Sequence, residues 1–255
     1  SSALTLDFKR IQFTPDLLPS DLLGTQIYNP KEGSFSTHKG PVFTHIVLAD
    51  EVNRAPAKVQ SALLEAMAER QVTLDGERHA LPESFMVLAT QNPIEQEGTY
   101  PLPEAQADRF LMKVRIDYPD SQEELEILRR KSGPSEDVQA VASEDDLNAA
   151  RNIVARVRME GVIEEYIVNL VQATRPNSIN ASSVAKQFID VGASPRATLA
   201  LGIASRAHAF LIGGRGYVTP DDVKSVARDV LRHRLLVNYE AEADGVGSDE
   251  VIAKL

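Results

Sequence analysis

The chain contains no cysteine, which excludes disulfides and thiolate metal sites. Its five histidines, His38, His45, His79, His208 and His233, never fall at an H-x-x-x-H spacing, so a zinc site is not expected. No apolar run approaches the roughly 20 residues that span a bilayer. The opening SSALTLDFKR lacks the long apolar core of a secretion signal. We therefore expect a cytoplasmic protein. Positive charge is also in short supply: 27 Lys and Arg against 37 Asp and Glu leave a net charge of −10. That balance disfavours a general affinity for nucleic-acid backbone and serves solubility instead.

What is present is ordinary in bulk and informative in order. The 255 residues are 43% hydrophobic and 25% charged, which suits one large or two modest globular domains. Up to residue 118, strand and helix patterns alternate. Phe8 to Phe13 alternates with period two and reads as a strand. Pro19 to Leu23 reads as a short helix stopped by Gly24. Residues 33–42 read as a small hairpin or exposed loop. An apolar strand at 45–49 is followed by a helix from Ala57 to Arg70, with Val59, Leu63, Leu64 and Met67 on one face. Gln71 to Leu81 reads as a hairpin around Asp75-Gly76, and Phe85 to Thr90 as a second apolar strand. Two such runs linked by a helix predict a parallel sheet buried on both faces.

Beyond Tyr118-Pro119 the pattern turns helical, so the domain boundary is placed at Pro119–Asp120. Ser121 with Glu124, and Ser143 with Asp146, predict capped helix starts. Residues 162–174 form an apolar-striped helix. Ser194-Pro195 opens a longer one through Leu211, ended by Gly213-Gly214, and Thr219-Pro220-Asp221-Asp222 opens another. Residues 175–190 read as a polar insertion, a loop with some helix.

Four stretches carry chemistry. The strand HIVLAD ends in two adjacent carboxylates, Asp50 and Glu51. In phosphoryl-transfer sites an acid at a strand tip holds magnesium and its neighbour orients or deprotonates the attacking water. The plainer reading is a helix start that favours acids. Ala89-Thr90-Gln91-Asn92-Pro93 follows the next strand. Its amide can hydrogen-bond a phosphate or a water without adding charge, and Pro93 stops the strand; an ordinary turn reads the same way. In LPEAQADRF, Arg109 ends a short helix and could reach a neighbouring subunit, or simply pair with Asp108 or Glu104. In GASPR, Arg196 sits in the first turn of a helix, where a cation is disfavoured. Binding an anion from that end is one reason to place it there; a salt bridge with Asp190 is the plainer one.

Taken together these stretches resemble the AAA+ ATPases, and more closely the MoxR group. The resemblance rests on FKRIQFTPDLLPSDLLGT, GPVFTHIVLADEVNRAPAKVQSALLEAMAERQVTLDG, VLATQNPIEQEGTYPLPEAQADRF, GASPRATLAL and YVTPDDVKSVARDVLRHRL, nearly the whole chain. It implies an α/β fold: an AAA+ P-loop-type parallel sheet with flanking helices at 1–118, its N-terminal part missing, and an all-α lid domain at 119–255. It implies ATP and Mg²⁺ as cofactors. Asp50 and Glu51 look like the Walker B acids for magnesium and water, Asn92 like sensor 1, Arg109 like an arginine finger acting on the next subunit's nucleotide, and Arg196 like sensor 2. Arg54 could also face the subunit interface. Segments 26–43 and 71–81 resemble the helix-2 insert and the hairpin before sensor 1. The resemblance further implies a hexameric ring that remodels protein clients or assists metal-cofactor insertion, often with von Willebrand A-domain partners.

One part of the pattern is absent. No G-x-x-x-x-G-K-[ST] occurs in the 255 residues. The family places this Walker A loop ahead of the helix preceding LDFKRIQF, so we expect it just before the chain begins. The rival reading is a non-hydrolysing AAA+ scaffold or regulatory subunit. A DNA motor is a further alternative, but QVTLDGERHA sets Arg78 and His79 against Asp75 and Glu77 and is not a basic finger.

Overall fold

The computed structural model describes residues 3–31, 33–92, 99–131 and 138–255. Contacts divide the chain into two units: Ser1–Arg109 with Gln139–Asn148, and Phe110–Val138 with Ala149–Leu255. Residues 110–118 thus group with the second unit. Residues 139–148 return to the first, where the Thr5 N–H donates to Ala142 O at 3.1 Å.

The first unit is built on a parallel sheet of β1 (Phe8–Gln12), β4 (Ile46–Asp50) and β7 (Met86–Ala89), with β4 in the middle. Residues of β4 supply its driest positions, Val47 and Ala49, both fully buried. The sheet is not covered equally on its two faces. Met86 and Leu88 of β7 are 47% and 48% exposed, a period-two pattern where burial on both faces was expected. The cause is position: among the described residues β7 pairs with β4 alone and so lies at the edge of the sheet. Pro93, expected to end this strand, lies outside the described residues.

Helix α1 (Pro19–Leu23) runs into a hairpin of β2 (Gly24–Asn29) and β3 (Ser34–Lys39). The hairpin starts earlier than the sequence pattern predicts, because Gly24 both ends the helix and opens the strand. Its φ is +105°, and a Cβ there would lie 2.2 Å from His38 O, so only glycine fits. Helix α2 (Ala57–Glu69) buries Val59, Leu63 and Ala66 in the sheet's core, with Met67 packed at the edge; Leu64 is buried outside that cluster. At the expected place, β5 (Gln71–Leu74) pairs with β6 (Glu77–Ala80). Asp75 and Gly76 both take positive φ, as a tight two-residue hairpin turn requires. A short α3 (Glu104–Ala107) closes this unit's path toward Arg109.

In the second unit α4 (Ser121–Lys131) is capped one residue earlier than predicted. The Asp120 carboxylate accepts from the Gln122 and Glu123 N–H groups, and Glu123 returns a bond to the Asp120 N–H. A carboxylate competes well with a hydroxyl for this place. The Ser143–Asp146 cap of α5 (Glu144–Ala155) forms as expected. The core is helical: α6 (Gly161–Ala173), α7 (Ser183–Phe188), α8 (Pro195–Leu211) and α9 (Pro220–Leu231) surround Val171, Leu201, Val223 and Leu231, each at most 1% exposed. A small antiparallel ribbon of β8 (Ile189–Val191) and β9 (Leu236–Val237) joins them, ahead of α10 (Tyr239–Ala243) and α11 (Ser248–Ala253). Among the described residues no helix is long and apolar enough to cross a membrane.

Candidate functional site

Asp50 is the last residue of the central strand, and Glu51 is the first residue to leave it. Glu51 takes φ 55° and ψ 51°, a left-handed conformation that a side chain adopts only under constraint. The constraint is visible. The Glu51 N–H donates to Thr90 Oγ1 at 2.8 Å, the Val52 N–H to Thr90 O at 3.0 Å, and the Arg54 N–H to Glu51 O at 2.9 Å. On the other side the Phe13 N–H donates to Asp50 O at 2.9 Å. Both neighbouring strands therefore fix the tip, and the turn Val52–Arg54 redirects the chain into α2.

The two carboxylates have different partners. Asp50 Oδ1 accepts from the Thr90 hydroxyl at 2.5 Å, and Oδ2 accepts from Arg10 Nε at 3.0 Å and also from Arg10 Nη2. The Thr90 hydroxyl first, and Arg10 second, hold the Asp50 carboxyl below its usual range against the opposing effect of burial. Glu51 Oε2 accepts from Gln12 Nε2 at 2.8 Å and lies 3.2 Å from Arg54 Nη1. The site thus presents one carboxylate held ionised by a cation and a hydroxyl, next to a second at the edge of solvent.

The structure brings Asp50, Glu51 and the Thr90 end of β7 together. Asn92, half-buried, follows two residues later. Arg54 pairs with Glu51 within the chain. Arg109 is exposed at the end of the first unit. Arg196 is exposed in the first turn of α8, in the second unit. Sequence reasoning missed Arg10, Gln12 and the role of Thr90. The available signal was polar residues at strand ends: Gln12 stands opposite Asp50 in the β1–β4 register.

Two family models match the chain. The ATPase family associated with various cellular activities matches residues 1–112, and the AAA lid domain matches 181–255. Chaperone MoxR1 of Mycobacterium tuberculosis is 48% identical over 97% of this chain and 66% of its own length. Protein YeaC of Bacillus subtilis is 46% identical over 100% of this chain and 77% of its own. The chain belongs to the MoxR family of AAA+ ATPases. It spans about two thirds of the mycobacterial relative. Protein MoxR of Methylorubrum extorquens is 30% identical over 90% of this chain. A crystal structure of a Cytophaga hutchinsonii protein, described as a candidate ATPase, superposes with a TM-score of 0.91 at 50% identity, covering 99% of this chain and 77% of that one.

Membership of the AAA+ ATPases implies a nucleotide; the magnesium expected from the sequence resemblance is a separate question of fit. Among the described residues no cluster of three His, Cys, Asp or Glu is placed to hold a metal. Magnesium at phosphates, however, uses only one or two carboxylates and completes its shell with water and phosphate oxygens. Asp50 fits that demand: it is ionised and already accepts a cation, the Arg10 guanidinium, at Oδ2.

Proposed function

We propose that this MoxR-family chain hydrolyses ATP in a ring oligomer, a hexamer as the family resemblance implies, working in the cytoplasm to remodel client proteins. Metal-cofactor insertion and partners with von Willebrand A-domains are the client classes the resemblance suggests. The observation that carries the reading is the strand-tip pair: Asp50 held ionised by Thr90 and Arg10, and Glu51 held in a left-handed turn beside it.

In this reading Asp50 would hold Mg²⁺, which would neutralise phosphate charge. Glu51 accepts the proton of the attacking water, and Asn92 orients that water by hydrogen bonding. Arg109 places a guanidinium against the phosphates held by the next subunit. Arg196 reports the nucleotide to the second unit. The left-handed backbone at Glu51 costs about 1–2 kcal/mol, and in this reading it is kept because the turn sets where the carboxylate stands.

The test is Glu51→Gln in the full-length protein, which keeps the shape and removes the base. ATP turnover should fall by about 100-fold or more, with nucleotide affinity retained. An undiminished rate would remove Glu51 from the mechanism. A wild-type full-length protein that binds no nucleotide would favour the non-hydrolysing scaffold.

A further inference from the structure

Gln60 is a buried polar residue that the reading above does not use. It lies on α2 and is 1% exposed. Its Nε2 donates to Ala55 O at 3.0 Å, to Tyr100 O at 2.9 Å and, more weakly, to Val52 O at 3.3 Å. Carbonyls only accept, so the amide has one workable orientation, with nitrogen toward all three. Two of these carbonyls belong to the turn that follows Glu51. The third lies 40 residues on. Tyr100 closes the loop by donating its N–H to Asn53 O at 2.6 Å.

Tyr100 begins the segment that leads through α3 to Arg109. That segment meets α2 a second time, where Gln106 Nε2 donates to Ser61 Oγ at 3.3 Å. One helix therefore holds the Glu51 turn and the Arg109 segment at adjacent positions, Gln60 and Ser61. Val52 is 1% exposed and Ala55 fully buried, so at these two carbonyls no solvent is at hand to replace the amide if it is removed, whereas Tyr100 is 47% exposed. Carbonyls buried without a donor move until they find one. A shift in the Glu51 turn would then be felt at Tyr100.

We propose that Gln60 is a positioning residue that ties the turn bearing Glu51 to the segment bearing Arg109. It would thereby pass the state of a subunit's own site to the site its arginine serves next door. The inference rests on the roles proposed for Glu51 and Arg109.

The test uses full-length protein in rings mixed from two kinds of subunit. A Glu51→Gln subunit is silent in its own site and acts only by lending Arg109 to its neighbour. Wild-type rings are doped with Glu51→Gln subunits, or with the same subunits also carrying Gln60→Met, which keeps length and loses the donor. The double variant should depress turnover by its wild-type neighbours about tenfold more, with KM for ATP unchanged. Turnover is normalised to assembled rings of known composition, so a general loss of stability, which only removes double-variant subunits from the rings, would not reproduce this drop. Equal turnover in the two mixtures overturns the proposal.

A second measurement needs no variant. In wild-type protein the Val52, Arg54 and Tyr100 amides should exchange hydrogen through one shared opening, with a common urea dependence. Independent openings overturn the tie even if the double variant fails to assemble. If wild-type rings hydrolyse no ATP, the function proposed above fails, and the exchange data still decide the Gln60 tie.

Discussion

Two carboxylates show how neighbours set the charge of a residue. Asp50 is held low by a hydroxyl and a guanidinium at the edge of solvent. Asp222, in the first turn of α9, is fully buried. Burial pushes its carboxyl up. Hydrogen bonds from His208 Nδ1, from the Thr219 N–H and hydroxyl, and from Arg215 outweigh that and bring it down to about 2. A depressed folded pKa stabilises the fold above the unfolded value. Asp222 thus contributes about 2 kcal/mol at neutral pH, lost as pH falls from about 4 through about 2. Asp222→Asn should cost about 3 kcal/mol at neutral pH, because it leaves Arg215 without its counter-charge. Urea unfolding over a pH series should show the gap to wild type narrowing across that acid window. A gap independent of pH would mean that charge is not what Asp222 contributes. The capping role of Asp222 was legible from Thr219-Pro220-Asp221-Asp222; the His208 and Arg215 partners, 14 and 7 residues away, were not.

At the scale of elements, local signals placed most helix starts and the β5–β6 hairpin, missed the strand Gly24–Asn29 that completes the other hairpin, and failed where a choice depended on competition. Asp120 rather than Ser121 caps α4, its carboxylate taking the Gln122 and Glu123 N–H groups in charge-assisted bonds. The start of α8 depends on something no local pattern reveals. A Cβ at Gly192 would lie 2.5 Å from Thr174 O and 2.7 Å from Arg175 Cα, so the turn before α8 presses on the end of α6. The contact is sealed by the Ala193 N–H donating to Thr174 Oγ1 at 3.0 Å and by Arg175 Nε donating to Ala193 O at 2.9 Å. Gly192→Ala forces backbone apart and should cost about 1–3 kcal/mol, or about 2–4 °C in Tm per kcal/mol. Calorimetry checks this; an unchanged Tm would show that the two backbones separate freely.

For the whole molecule, the shared-site reading makes a prediction that no single subunit can satisfy. Full-length Glu51→Gln lacks the base and Arg109→Ala lacks the finger, so each alone should be nearly inactive. Mixed, some interfaces combine an intact Glu51 from one variant with an intact Arg109 from the other. Turnover should reappear, peaking near equal proportions, at about a quarter of wild type if assembly is random and each interface works alone. Full activity of Arg109→Ala by itself, or no recovery on mixing, would sink the shared site.

The sequence by itself determined the class of the molecule. Apolar runs ending in Asp50-Glu51 and in Ala89-Thr90, with an amphipathic helix between them, predict parallel strands whose tips share one edge, because a helical crossover returns the chain to the same end of the sheet. It also carried the family resemblance, which lies in long contiguous motifs. The tertiary structure alone decided which residues act on those tips. Arg10 and Gln12 reach Asp50 and Glu51 only through the β1–β4 pairing, across 40 and 39 residues. Gln60 joins Val52 to Tyr100 because a helix packs between them. The left-handed backbone at Glu51 is the sum of bonds from a neighbouring strand and its own turn. Such contacts depend on register and packing, and a linear pattern of residue types does not encode where two distant segments meet.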